Sequence, residues 1–464
     1  MNLNPIINNF QRPIRKVQIC CILIFSCAAC SLNIPYENQY SDPDAITTVT
    51  AARELLASAY DAIPKPEFSL SVLSDDFQPT FLINLNADLN NLYKWHPKPM
   101  EDLSNSLWEK YYSVIAIANT VLERIHYVSP ISDSDKQELQ CIVSEAKTLK
   151  AYCYFNLLRL FAPTYPEGPE KDGIILKERF ELLTEAVTVD NRPSQVYWFS
   201  RQSAYYLLAA LELYAENYDK AEEYALKILS STNAYDVLAP VHYKKLWEQE
   251  PCEECIFSLH TTNSYYTDMN YERKKGDYFT INSTLTQLYT ANDIRYEATV
   301  YPQEMPGESI GETLPVLYLG KYNKQNWNYK PIQYINKLRV SGICFILAEA
   351  YCQDQKGHDA LALEVINNYL AQREAPLLDT SLSGAPLLKA ILQEKWKEFA
   401  GEGERYFDLK RYRKSLLSDW NLSATMKNKP IKPDDYRWLF PIPKGEYLYN
   451  ENISQNAGWT KIEK

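Results

Sequence analysis

The sequence predicts a mainly α-helical protein in which packed helical pairs form a scaffold and an irregular, loop-rich subdomain lies against it. Three observations carry that reading. Apolar residues recur every three or four positions through long stretches, above all Ile142, Ala146, Leu149, Cys153, Leu157 and Leu160. Two other stretches read as helices paired across tight corners, with alanines where the helices must approach. Between those pairs, residues 231–338 show no sustained helical period.

The first 46 residues stand apart from the scaffold. Arg12, Arg15 and Lys16 form a basic start, and Val17–Ala29 (VQICCILIFSCAA) is an apolar run too short to span a bilayer as a mature helix. Residues 1–29 therefore read as a targeting segment. The run ends in Cys27-Ala28-Ala29-Cys30-Ser31, and small residues before a cysteine resemble a lipoprotein cleavage site with Cys30 as the acylated first residue. Cys27 stands where leucine is usual and is a second candidate; plain secretory cleavage is the other alternative. Residues 30–46, with Pro35 and Pro43, read as a polar tether. Removing residues 1–29 takes away basic groups and no acids, so the remainder is more acidic than the formal −11 of the full chain. No basic stripe is left to follow a phosphate backbone, which excludes nucleic acid as a partner.

Thr47–Ile63 reads as the first helix, through Ala51, Leu55, Ala59 and Ile63. Residues 64–104 read as irregular, because Pro64, Pro66, Pro79, Pro97 and Pro99 exclude long helices. Leu107–Ile125 is helical again, and Cys141–Phe161 is the strongest helix of the first half, stopped by Pro163 and Pro166. Val196–Glu216 and Asp219–Ser230 then pair across Asn217-Tyr218, with Ala210, Ala221 and Ala225 allowing close approach. Ile343–Gln353 and His358–Gln372 repeat the arrangement with Ala348, Ala350 and Ala360. This is the pattern of tetratricopeptide-type pairs, too widely spaced here for a simple tandem solenoid. Within 231–338, Cys255–Leu259 and Pro315–Leu319 read as short strands and Thr284–Thr290 as a short helix.

Gln393–Arg411, QEKWKEFAGEGERYFDLKR, organises the rest. Trp396, Phe399 and Ala400 lie on one side of a helix that Gly401 and Gly403 interrupt, where the backbone must turn with positive φ. Arg405 and Asp408, three apart on the second helix, read as an ion pair locking this corner beside aromatic packing. The stretch EFAGEGERYFDLKR resembles the signature of the SusD/RagB family, nutrient-binding lipoproteins of the Bacteroidetes outer membrane. Other segments resemble the family in the expected order. They are Trp108, Tyr112, Ile115, Ala118, Asn119 and Leu122; then SEAKTLKAYCYFNLLRLFAPTYP; then Trp438–Pro443 (WLFPIP) with Gln455-Asn456-Ala457-Gly458-Trp459. The resemblance covers the chain beyond its leader and implies a superhelical α–α scaffold in one compact unit. It divides into an N-terminal part, 47–235, and a C-terminal part, 236–464.

No catalytic constellation is legible. The five histidines are scattered, and there is no HExxH, G-x-S-x-G or glycine-rich phosphate loop. Glu402 and Glu404 are acids of the signature, where the family context is structural. Cys252-Glu253-Glu254-Cys255 has redox or zinc spacing but no partner motif, and reads as structural, with a local disulfide as one form; no metal or cofactor is expected. Cys141, Cys153, Cys344 and Cys352 read as small core residues.

Binding asks for less than catalysis. Sugar rings present flat C–H faces that pack on Trp and Tyr, while Asn, Asp and Arg take their hydroxyls, so aromatic surface loops are the place to look. Two stretches qualify: one through Asp75, Asp76, Tyr93 and Trp95, the other through Tyr322, Asn326, Trp327 and Tyr329. The resemblance implies a surface-exposed, lipid-anchored outer-membrane protein that catalyses nothing. It would hand an oligosaccharide to a SusC-like TonB-dependent β-barrel transporter. A peptide ligand of the RagB type, or a helical scaffold for proteins without a small ligand, are the alternatives.

Overall fold

The computed structural model describes residues 46–167, 196–230, 235–248, 250–260, 278–307, 311–321, 334–416, 429, 431–449 and 453–460. The chain divides into the units Met1–Thr47 and Thr48–Lys464. Cys30 and the tether through residue 45 lie outside the described residues, and every element below belongs to the second unit.

Helix α1 (Val49–Asp61) is capped by Thr48, whose hydroxyl accepts from the Ala51 amide. Its buried stripe is Ala52, Leu55, Leu56, Ala59 and Tyr60. The proline-rich stretch that follows holds more helix than expected: α2 (Glu67–Leu73), β1 (Phe77–Pro79), a 3-10 turn at Phe81–Leu85, and α3 (Ala87–Tyr93). Helix α4 (Pro97–Arg124) begins ten residues before the expected Leu107. Pro97 is its first residue, where a missing N–H costs no hydrogen bond, so the proline opens the helix instead of excluding it. Helix α5 (Asp133–Phe161) also starts early, behind a capping box in which Ser132 and Asp135 bond each other's backbone.

Helices α6 (Arg201–Tyr214) and α7 (Tyr218–Leu229) form the first expected pair, with Ala210, Ala221 and Ala225 all buried. After α8 (Pro240–Trp247) come β2 (Cys255–His260), β3 (Phe279–Ile281), α9 (Ser283–Thr286), α10 (Ile294–Thr299), β4 (Val300–Pro306), β5 (Thr313–Leu319) and β6 (Tyr334–Arg339). The strands make three antiparallel two-stranded pairs, β1–β3, β2–β6 and β4–β5. Two of these join segments far apart in sequence. The second helical pair is α11 (Val340–Gln353) and α12 (Asp359–Gln372), followed by α13 (Gly384–Phe399), α14 (Glu404–Leu416) and α15 (Lys444–Tyr449).

The two helical pairs, remote in sequence, pack side by side, because α11 lies along α7. The Tyr351 hydroxyl donates to Glu222 across that seam at 3.0 Å. The C-terminal tail closes the other side. Ser104 and Trp108 of α4 donate to the Pro441 carbonyl and to Glu446 at 2.5 and 2.9 Å, and the Phe440 amide donates to the Leu160 carbonyl at 3.2 Å. The protein is mainly helical, in agreement with the predicted class. Among the described residues no helix is long and apolar enough to cross a membrane.

Cysteine usage differs from expectation in two respects. Cys141 and Cys352 are half-buried rather than core residues, while Cys153 and Cys344 are fully buried. Cys252 and Cys255 are buried free thiols, not a disulfide. Burial pushes the Cys252 thiol up to about 12 and raises Cys255 too, outweighing the Ser258 hydroxyl 2.8 Å from it, so neither presents a thiolate.

Candidate functional site

The signature corner turns where its glycines allow. Gly401 and Gly403 have φ of +78° and +80°, and a Cβ on Gly401 would overlap the side chain of Leu319. The corner's charged partner is not the expected one. Arg405 donates twice to Asp75, at 2.8 and 3.1 Å, from a position stacked 4.4 Å over the Trp396 ring. Asp408 instead accepts from Lys395 at 2.7 Å. The three-residue spacing of Arg405 and Asp408 put them on one helix but on different partners.

Asp76 accepts from the Trp396 indole and the Gly401 amide at 2.9 and 3.1 Å. Burial, with the Asp75 charge beside it, pushes the Asp76 carboxyl up to about 6. Trp95 donates to the Leu73 carbonyl at 2.9 Å and meets Trp438 edge to face at 4.7 Å. Tyr93 carries the Lys429 ammonium over its ring at 4.1 Å. Asp75, Asp76, Tyr93 and Trp95 are 0%, 1%, 8% and 0% exposed. Read in the sequence as ligand contacts on a surface loop, they are instead the inner face of the corner. The physical reason is that both carboxylates and the Trp95 indole already have protein partners, which is what makes their burial tolerable.

A second ionic cluster lies on the other side of α13. Glu398 is held by Arg373 at 3.2 Å, by Arg339, and by the Tyr369 hydroxyl at 2.5 Å. Burial alone would raise its carboxyl, but Arg373 and Arg339 outweigh it and hold the group well below the usual carboxylate range. Glu402 receives Lys321 at 2.7 Å and Arg339 at 2.8 Å. Lys321 and Arg339 flank the stretch that contains Tyr322, Asn326, Trp327 and Tyr329. Those four residues lie outside the described residues.

A cavity of about 70 Å³ sits between these clusters and α5–α6, lined among others by Tyr111, Phe155, Arg159, Tyr206, Lys395 and Glu404. It has room for a few waters and falls far short of the several hundred cubic ångströms of a ligand cleft.

Aromatic side chains reach solvent at a different place, the His260–Tyr334 pair of the β2–β6 ladder. His260 pairs with Tyr334 in register, their rings 5.3 Å apart, and the Tyr197 ring lies 5.7 Å from His260. His260 is exposed, and both tyrosines are half-buried. The layer beneath is rigidly tied. The Ser258 amide donates to the Val196 carbonyl at 2.9 Å, the Phe199 amide donates to the Tyr60 hydroxyl at 2.9 Å, and Phe199 stacks on Phe257 at 4.1 Å. Glu145 then accepts from Tyr60 and Arg53, and Arg53 covers the Trp198 ring at 4.9 Å. Sequence reading missed this edge because its three rings stand 63 and 74 positions apart, with no local aromatic cluster to mark them. The signal available was the strand-like CIFSLH, whose exposed last residue is the histidine.

Comparisons with known proteins agree with this architecture. Residues 316–459 match the SusD family model, and residues 35–196 match a model described as starch-binding, associating with outer membrane. The SusD-like protein P38 of Formosa agariphila is 22% identical over 89% of this chain and 94% of its own length. A SusD superfamily protein from Bacteroides vulgatus superposes with a TM-score of 0.72 at 20% identity, over 90% of this chain and all of that one. A SusD-like carbohydrate binding protein from the same species gives 0.71 at 18% identity, over 88% and 97% of the two chains. Surface glycan-binding protein A from Bacteroides uniformis gives 0.66 at 19% identity, over 88% and 100%.

Proposed function

The chain belongs to the SusD/RagB family, and we propose that it is a glycan-binding lipoprotein of the outer-membrane surface. Acylated at Cys30 and held on the tether to residue 46, it would capture an oligosaccharide and pass it to a SusC-like TonB-dependent β-barrel transporter. It breaks no bond: the protein contributes affinity and position, and the transporter contributes movement. The observation that carries the reading is the match of residues 35–196 to a family described by starch binding and outer-membrane association. Several relatives of the same fold are described as carbohydrate or glycan binders, which supports it further.

Tyr322, Asn326, Trp327 and Tyr329 remain the proposed ligand contacts of the sequence, with the ionic cluster at Glu402 fixing the chain on either side of them. Aromatics with amide side chains suit a ligand that offers C–H faces and hydroxyls together.

The test is purification of the tagged protein from detergent-solubilised outer membranes of its native host. A stoichiometric partner of large β-barrel type, with acyl chains on the N-terminal cysteine by mass spectrometry, is the expected result. Recovery of the protein alone and unacylated would end the uptake reading and leave a free-standing binder or scaffold.

A further inference from the structure

The most exposed large apolar side chain among the described residues is Ile131, at 96%, and Tyr127, four positions before it, is 64% exposed. Both stand on the turn that joins α4 to α5, and Ser129 and Pro130 between them are exposed as well. The turn is fixed from within. Val128 is its buried pin, with its amide donating to the Ile125 carbonyl at 3.2 Å. The Ile131 and Ser132 amides both donate to Asp135, at 2.9 and 3.1 Å. Asp133 is paired with Lys136 at 2.8 Å, and the Arg124 guanidinium lies 6.0 Å over the Tyr127 ring.

The chain enters the helical layer at this same end. Helix α1 packs against α4 and α5. Arg53 of α1 bonds Glu138 of α5 at 2.6 Å; Tyr60, seven positions on, bonds Glu145, also seven positions on, at 3.2 Å. The two helices therefore run in the same direction. Thr48, which caps α1, precedes Arg53 by five residues, and Ser132, which caps α5, precedes Glu138 by six, about 7.5 and 9 Å of helical rise. Thr48 and the Tyr127–Ile131 turn thus stand at one end of the layer. Residues 30–47 join Thr48 to Cys30, and a chain of that length reaches no further than about 65 Å.

We propose that this turn seats the protein on the membrane: Tyr127 and Ile131 enter the headgroup boundary of the bilayer that holds the lipid at Cys30. The proposal rests on the acylation read above and goes beyond it by fixing which end of the helical layer faces the lipid. A bilayer fits the turn better than a protein does. A stable protein interface takes roughly 20–30 residues a side, and a single turn offers only a few. A bilayer asks for less: an aliphatic side chain that reaches the acyl boundary, beside a tyrosine whose ring is apolar and whose hydroxyl stays wet. The anchor also keeps bilayer close to this end of the chain, so a contact too weak to hold the protein alone suffices to orient it.

The experiment is hydrogen–deuterium exchange, read by mass spectrometry, with vesicles of phosphatidylethanolamine and phosphatidylglycerol. The acylated full chain is compared with the unacylated chain, made with Cys30→Ser behind an ordinary secretory leader. On the vesicles, the segment 125–132 of the acylated protein should exchange roughly threefold or more slowly than in the unacylated chain. Tyr127→Ser combined with Ile131→Ser should abolish that slowing while the protein stays acylated and keeps its unfolding temperature, since both side chains are exposed. If the segment exchanges equally fast in both forms of the wild type, the seating is refuted, and the lipoprotein reading stands on the acylated, vesicle-bound protein. A chain recovered without acyl groups overturns both. Slowing that appears only when a β-barrel partner is added assigns the turn to a protein and overturns the lipid contact.

Discussion

Two regions of this protein are built from the same kinds of residues and do opposite work. At the signature corner, Asp75, Asp76, Trp95, Trp396 and Arg405 are sealed from water; Arg405 bonds Asp75, Trp396 bonds Asp76, and Trp95 donates to the Leu73 carbonyl. At the end of the β2–β6 ladder, Tyr197, His260 and Tyr334 stand in contact with solvent over a tied-down support. The first spends every polar group on the protein itself; the second leaves ring surface over. Aromatic and acidic residues side by side therefore do not mark a ligand site. What separates the regions is how much of the ring surface the fold covers.

The contrast can be broken most directly at Arg405. Arg405→Ala leaves the Asp75 carboxylate buried without its bidentate partner, so a loss of about 3–5 kcal/mol in denaturant unfolding is expected. A loss under about 1 kcal/mol, the range of exposed ion pairs, would mean the corner is wetter than the structure has it.

Asp76 gives a sharper test because its effect depends on pH. Its carboxyl titrates at about 6 in the folded protein, raised by burial and by the neighbouring Asp75, against roughly 4 when unfolded. The folded state thus holds a proton that the unfolded state releases. That contribution to stability is complete below about pH 4 and is lost as pH rises through about 6, on the order of 2–3 kcal/mol in all. Unfolding midpoints taken from pH 4 to pH 7 should fall less steeply in Asp76→Asn than in the wild type. Parallel curves would remove the assignment.

Gly401→Ala probes the backbone of the same corner. A positive φ and the overlap with Leu319 together should cost about 1–3 kcal/mol, read as a lower urea midpoint with an unchanged slope. The smallest effect belongs to the edge. His260→Ala removes an exposed ring and should change stability by no more than about 0.5 kcal/mol. A larger loss would show that the edge is structural after all, and the distinction between the two regions would collapse.

Most of the helical framework was legible because its causes are local. The three-to-four spacing in Cys141–Phe161 and the alanines at Ala210, Ala221 and Ala225 place apolar or small side chains on one helical face whatever lies opposite. Helix starts were less legible. Pro97 can end one segment or open the next, and only the chain before it decides which. The candidate site was hardly legible at all. Asp75–Trp95 has the composition of an aromatic binding loop, and nothing within it reports that Arg405, 330 positions away, covers its carboxylate.

By itself, then, the sequence determined the mainly helical class, the paired helices, the glycine turn of the signature and the family resemblance. Each of these is written in residues a few positions apart, and hydrogen bonding, side-chain spacing and φ preference act over that range. Tertiary structure alone decided which charges meet, which aromatics are covered, and that the two helical pairs lie side by side across α7 and α11. Arg405 could serve Asp408 or Asp75, and both are compatible with its helix. The choice falls to the geometry of the folded chain, because a buried guanidinium takes the carboxylate that offers both oxygens in its plane.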